Sequence, residues 1–152
     1  MYHALNKEQA DSLLLGQVMG RLACTDGNLP YIFPVTYCYD GKFIYGQTNN
    51  GSKLQIMRKH PQVCFEVDSV LDMNHWQSVI VTGTFEELKE EDIKAAQEIL
   101  YNRVFQLMTS NRIHSHQHAV SSNPDETNRI KDVSYIINRE KRTGRRRSLS
   151  NP

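Results

Sequence analysis

The chain has 152 residues with 39% hydrophobic and 23% charged residues, enough for one self-supporting core. No stretch is apolar for long enough to cross a membrane, and "MYHALNKEQADSL" lacks the basic-then-apolar order of a secretory signal, so a cytoplasmic protein is expected. The net charge of +1 is unevenly spread: residues 1–128 hold 10 Lys+Arg against 15 Asp+Glu, and residues 129–152 hold 8 against 2. The basic end "REKRTGRRRS" reads as a solvated terminal tail, with no interleaved aromatic residue to stack on bases, so nucleic acid is not the expected partner.

In chain order, "NKEQADSLLLGQ" is a short helix, capped by Asn6 and ended by Gly16, with Ala10, Leu13 and Leu14 as its apolar stripe. "VMGRLACTDGNLPYIFPVTYCYDGKFIYGQ" is strand, turn, strand, turn, strand, with hairpin signals at Asp26-Gly27 and Asp40-Gly41. Tyr31, Phe33, Val35, Tyr37 and Tyr39 fall on one face of the middle run. Pro34 lacks the N–H a central strand needs, which places that run at an edge or a bulge. A helix over 51–60 follows. "QVCFEVD" then alternates as a half-buried strand, "WQSVIVTGTFEEL" is a longer one with a bend at Gly83, and "KEEDIKAAQEIL" is a helix with Ile93, Ala96 and Leu100 on one side. Residues 109–131 are polar and weakly patterned, and "VSYIINRE" is the last strand. Hairpins and a preponderance of strands indicate a mainly β fold, a closed or partly closed antiparallel barrel. Cys24, Cys38 and Cys64 form no CxxC pair and read as buried thiols in a reducing compartment.

The stretch "NNGSK" at 49–53 opens a helix. Helix starts present unbonded N–H groups and partial positive charge, which suit an anion. Gly51 leaves room for close approach, Ser52 adds a hydroxyl, and Lys53 is a cation in a first turn where the macrodipole disfavours one. Arg58 is placed to reach back from the next turn. Taken alone, the stretch reads first as an ordinary exposed helix start, with Lys53 merely solvated.

The ordered set of segments "LPYIFPVTYCYDGKFIYGQTNNGSKLQIMRKHPQVCFEVD", "HWQSVIVTGTFEEL" and "TGR" at 143–145 resembles the FMN-binding split-barrel family related to pyridoxamine 5′-phosphate oxidase, over residues 5–105 and 130–146. The resemblance implies an antiparallel Greek-key split β-barrel over 1–146 with a basic tail at 147–152. It also implies a homodimer with FMN at the subunit interface, and an oxidoreductase passing a hydride between a reduced donor and a small organic substrate. By the same resemblance Ser52 and Lys53 bind the FMN phosphate, and Gln47 and Thr48 contact phosphate or ribityl chain. Pro34, Val35, Thr36 and Tyr37 run beside the isoalloxazine, and Trp76 and Gln77 reach the flavin from the partner or flank its pocket. No catalytic acid or base is implied.

The chain departs from the vitamin B6 oxidases. "TGRRRSLSNP" lacks their Arg-Leu-x-Pro closure, and Ser52 stands where they carry Arg. It is more similar to the branch that includes nitroimidazole-resistance proteins, although Gly46-Gln47 replaces the histidine that several of those place after the I-Y strand. A related branch binds haem, which leaves a non-catalytic flavin or haem carrier as the alternative function. His114, His116 and His118 alternate in "HSHQH" without a nearby Cys or carboxylate, and read as a solvated loop rather than a metal site.

Overall fold

The computed structural model describes residues 2–110 and 133–148. Eight strands and three helices alternate as β1 (Tyr2–Ala4), α1 (Lys7–Gly16), β2 (Met19–Thr25), β3 (Pro30–Thr36), β4 (Cys38–Tyr39), β5 (Phe43–Thr48), α2 (Ser52–Lys59), β6 (Gln62–Asp72), β7 (His75–Glu87), α3 (Glu90–Ser110) and β8 (Val133–Arg147). All strand pairs are antiparallel, in the order β3-β2-β6-β7-β8-β5-β4, with β1 added to β8. The two ends of that order, β3 and β4, are separated in sequence only by Tyr37. The sheet therefore curls until its edges meet, and β3 comes back against β5. This is the split β-barrel. No described helix is long and apolar enough to cross a membrane.

Local chemistry sets the elements. Asn6 and Gln9 form a reciprocal capping box: Gln9 N–H donates to Asn6 Oδ1 at 2.8 Å and Asn6 N–H to Gln9 Oε1 at 3.0 Å. Ala10, Leu13 and Leu14 are buried beneath it. The α1 C-terminus is satisfied by tertiary donors, since the Tyr37 hydroxyl donates to the Leu14 carbonyl at 2.5 Å and Arg103 donates to that of Leu15. Both Asp-Gly turns use one device. Asp26 Oδ1 accepts from the N–H groups of Asn28 and Leu29, Asp40 Oδ1 from those of Lys42 and Phe43, and the glycines sit at φ 95° and 98°.

Val63, Phe65 and Val67 of β6 and Val79 and Val81 of β7 point inward with Leu22, Ile44, Tyr135 and Ile137. Tyr37 joins this core edge-on to Phe65, with ring centroids 4.8 Å apart. Pro34 does lie on an edge strand, opposite Arg21. Gly83 marks a register shift in the β7–β8 ladder, where a Cβ would meet the Asn138 carbonyl. The thiols are free: Cys24 and Cys38 are buried, while Cys64 is half-buried on the outer face.

Four features differ from the sequence reading. β1 was not expected; three residues carry no periodicity, and pairing with β8 alone defines it. The middle run is broken at Tyr37, whose N–H turns to the Val18 carbonyl. Tyr31 leaves the shared inward face and is 38% exposed, its hydroxyl bonded to Asp26. The basic run 139–147 is strand rather than solvated tail, because β7 pairs with it from Trp76 to Gly83. Arg142 of that run is folded inward, paired with Asp11 of α1 and bonded to the Tyr39 hydroxyl. His114, His116, His118 and residues 149–152 lie outside the described residues.

Candidate functional site

Where the curled sheet brings its edges together, a groove of about 290 Å³ opens between β3, the end of β5 and the start of α2. Phe33, Pro34 and Val35 form one wall, Gln47, Thr48 and Asn49 the other, and Gly51, Ser52 and Lys53 the end. Edge strands leave backbone groups unpaired, so this wall can offer main-chain hydrogen bonds as well as side chains.

The α2 start is open. Gly51 is its N-cap in extended conformation, and no side chain caps it. A Cβ at Gly51 would meet nothing within 4 Å. Leu54 and Met57 anchor the helix in the core, which aims the first-turn N–H groups at the groove. Lys53 holds its Nζ 4.3 Å from the centre of the Phe33 ring. Among the described residues the Ser52 hydroxyl and the Gln47 amide have no hydrogen-bond partner, and Lys53 has no carboxylate partner. Lys53 is also the only charged one among the described residues lining the groove. Its charge is felt at Cys24, whose thiol is pushed up by burial and partly restored by the ammonium. The arrangement is a seat for one anionic group with an aromatic and main-chain wall beside it.

Of the ten residues anticipated, the fold brings Pro34, Val35, Gln47, Thr48, Ser52 and Lys53 together. Thr36 is half-buried at the end of β3 and does not line the groove. Tyr37 turns into the core. Trp76 and Gln77 lie on β7, with Trp76 packed against Tyr2 at 5.7 Å between ring centroids. Gln77 faces a different cavity, beside α1. Arg58 does not reach back: both its Nε and Nη2 donate to Glu87, at 3.0 and 2.7 Å, and this pairing holds the Glu87 carboxyl below its ordinary value. Phe33 and Asn49 were missed as lining residues. Phe33 was legible only as core, because alternation shows that a side chain points inward and not what it meets there.

Residues 6–136 match the profile of the pyridoxamine 5′-phosphate oxidase family. The chain belongs to that family. An uncharacterised protein from Rhizobium meliloti is 32% identical over 84 residues, 55% of this chain and 56% of that protein. The chain thus spans about half the length of the curated relative it matches. Among solved structures, an FAD-binding protein from Mesorhizobium loti superposes with a TM-score of 0.72 at 24% identity, covering 97% of this chain and 99% of that one. A protein from Bacteroides thetaiotaomicron, provisionally assigned to 5-nitroimidazole antibiotic resistance, superposes at 0.69 with 15% identity, covering 95% of this chain and 87% of that one. Likeness at these identities establishes the split-barrel fold for this member of the oxidase family.

Proposed function

We propose that this chain is a flavoprotein that seats the phosphate of FMN at the start of α2 and passes a hydride between a reduced donor and a small organic substrate. The observation that carries the reading is the open helix start beside an unpaired lysine, Lys53, in a groove with an aromatic and main-chain wall. First-turn N–H groups, the Ser52 hydroxyl and Lys53 would hold a phosphate, and Gln47 and Thr48 would bond the chain leading from it. A single lysine suits a single phosphomonoester, which favours FMN over a dinucleotide. The flavin supplies the hydride chemistry when bound, so the protein's part is to bind it, orient it and keep water from it.

The groove is open and small for a flavin, which a well-formed site buries over most of its surface. A second copy of the chain is proposed to cover it. The outer sheet face that would meet that copy carries Ile32, Val70 and Ile80, all exposed. Vitamin B6 oxidation is not part of the proposal, since Ser52 replaces the expected Arg.

The test is an absorbance titration of purified protein with FMN and with FAD, repeated on Lys53→Ala. Flavin bands that saturate with FMN, with the dissociation constant raised about 10-fold or more in the variant, fit the loss of a charge-assisted contact. Equal affinity in both proteins would remove Lys53 from the site, a preference for FAD would overturn the FMN assignment, and a Soret band would replace flavin with haem.

A further inference from the structure

Among the described residues lining the groove, Phe33 is the only aromatic one, and the Lys53 ammonium lies over its ring. The ring is held in place. Phe33 belongs to the buried core cluster and lies across the β2–β3 ladder from Leu22, which is wholly buried. Lys53 is held less firmly by its own chain. Its neighbour Leu54 anchors the helix in the core, but a lysine carries its charge on a flexible four-carbon stem.

The carboxylate of Asp26 acts on Cys24 together with the Lys53 ammonium, yet it does not pair with that ammonium. It is engaged in its own turn. Its Oδ1 accepts from the N–H groups of Asn28 and Leu29, and its Oδ2 from the Tyr31 hydroxyl. A ring face attracts an ammonium without neutralising it, whereas a carboxylate in the same place would compete with an incoming anion. Ordering a lysine on binding costs rotamer entropy, and a side chain already ordered in the free protein loses less.

We propose that Phe33 is the positioning residue for Lys53: its ring holds the ammonium at the start of α2 before an anion arrives, and so sets the preference of the groove for a ligand that carries a phosphate. That the phosphate belongs to a flavin rests on the reading above; that the ring places the cation does not. Leucine at 33 would keep the groove wall apolar and remove only the ring face.

The test compares the full chain with Phe33→Leu, Lys53→Ala and the double variant. In the first arm the protein carries 13C-labelled lysine and no flavin, and the Lys53 ε-methylene signal is identified by its loss in Lys53→Ala. Protons over a ring face are shielded, so the signal is expected upfield in the wild type and shifted downfield in Phe33→Leu. Inorganic phosphate should move it in both, at about 3- to 10-fold higher concentration in the variant. In the second arm FMN is compared with riboflavin, the same flavin without the phosphate. Phe33→Leu is expected to raise the dissociation constant of FMN about 3- to 10-fold and that of riboflavin less than about 2-fold, and to leave FMN binding unchanged once Lys53 is alanine. A ring that served only as wall would weaken both flavins alike and in both backgrounds, which would overturn the proposal. So would a wild-type Lys53 signal with no upfield shift, or one that neither phosphate nor FMN moves. If phosphate moves it and neither flavin binds, the flavin reading falls and the positioning role stands. Melting curves check that Phe33→Leu is folded; Phe33→Ile, which suits a strand, takes its place if it is not.

Discussion

Gly46 sits in β5 directly opposite Tyr135 of β8, one residue before Gln47 in the groove wall. Replacing it with alanine would place a Cβ 2.9 Å from Tyr135 Cε2 and nearer still to Cζ and the hydroxyl. Carbon atoms settle at about 3.5–4.0 Å, so the ring or the strand must give by roughly 1 Å. The ring has nowhere to go: Tyr135 is 1% exposed and lies against Phe85 at 5.2 Å between centroids. Overpacking of this kind costs about 1–3 kcal/mol, which for a chain of this length lowers the melting midpoint by roughly 3–10 °C. Thermal unfolding of Gly46→Ala, of Tyr135→Leu and of the double variant checks it. In the leucine background the added methyl has room and should cost far less, a coupling on the order of 1 kcal/mol. Because β5 must shift to relieve the clash, Gly46→Ala should also weaken FMN, though no side chain there touches the groove. An alanine variant that melts with wild type, or the same cost in both backgrounds, would show that Tyr135 does not hold β5 in place.

Asp11→Ala leaves the Arg142 side chain, only 10% exposed, without its carboxylate, and should cost about 3 kcal/mol in urea unfolding, with Asp11→Asn losing less. Glu66 lies between Arg21, Asp68 and Ser78 on the outer sheet face, and burial lifts its carboxyl above its ordinary value despite the Ser78 hydrogen bond. The folded protein therefore holds that proton to higher pH than the unfolded chain, and stability falls as pH rises through the lifted value. Glu66→Gln, which keeps the Ser78 contact, should raise the melting midpoint at pH 7 and leave it unchanged near pH 3; a loss at pH 7 would mean that its ion pair with Arg21 outweighs its burial.

Much of the site was legible because it is nearly contiguous. Gly51, Ser52 and Lys53 declare a helix start with a misplaced cation, and Pro34 declares an edge, each from the residue's own chemistry. What those fragments form together was not legible. Trp76 and Gln77 were grouped with the flavin residues by resemblance, yet within one chain Gln77 opens toward α1. Arg58 was placed on paper to reach back, until Glu87, 29 residues on, took its Nε and Nη2.

The sequence by itself determined what neighbouring residues can settle among themselves. The Asn6–Gln9 capping box, the two Asp-Gly turns and the alternation through Val63, Phe65 and Val67 each rest on groups a few residues apart. The tertiary structure decided what depends on distant partners. A basic run became strand because β7 was there to pair with it, and the middle run broke at Tyr37 because the sheet closes through it. The groove exists only because that closure sets residues 33–35 against 47–53. Hydrogen bonds of a turn or a cap form within a short loop of chain, whereas the curl of a sheet is set by the packing of its whole inner face, which no local window of sequence contains.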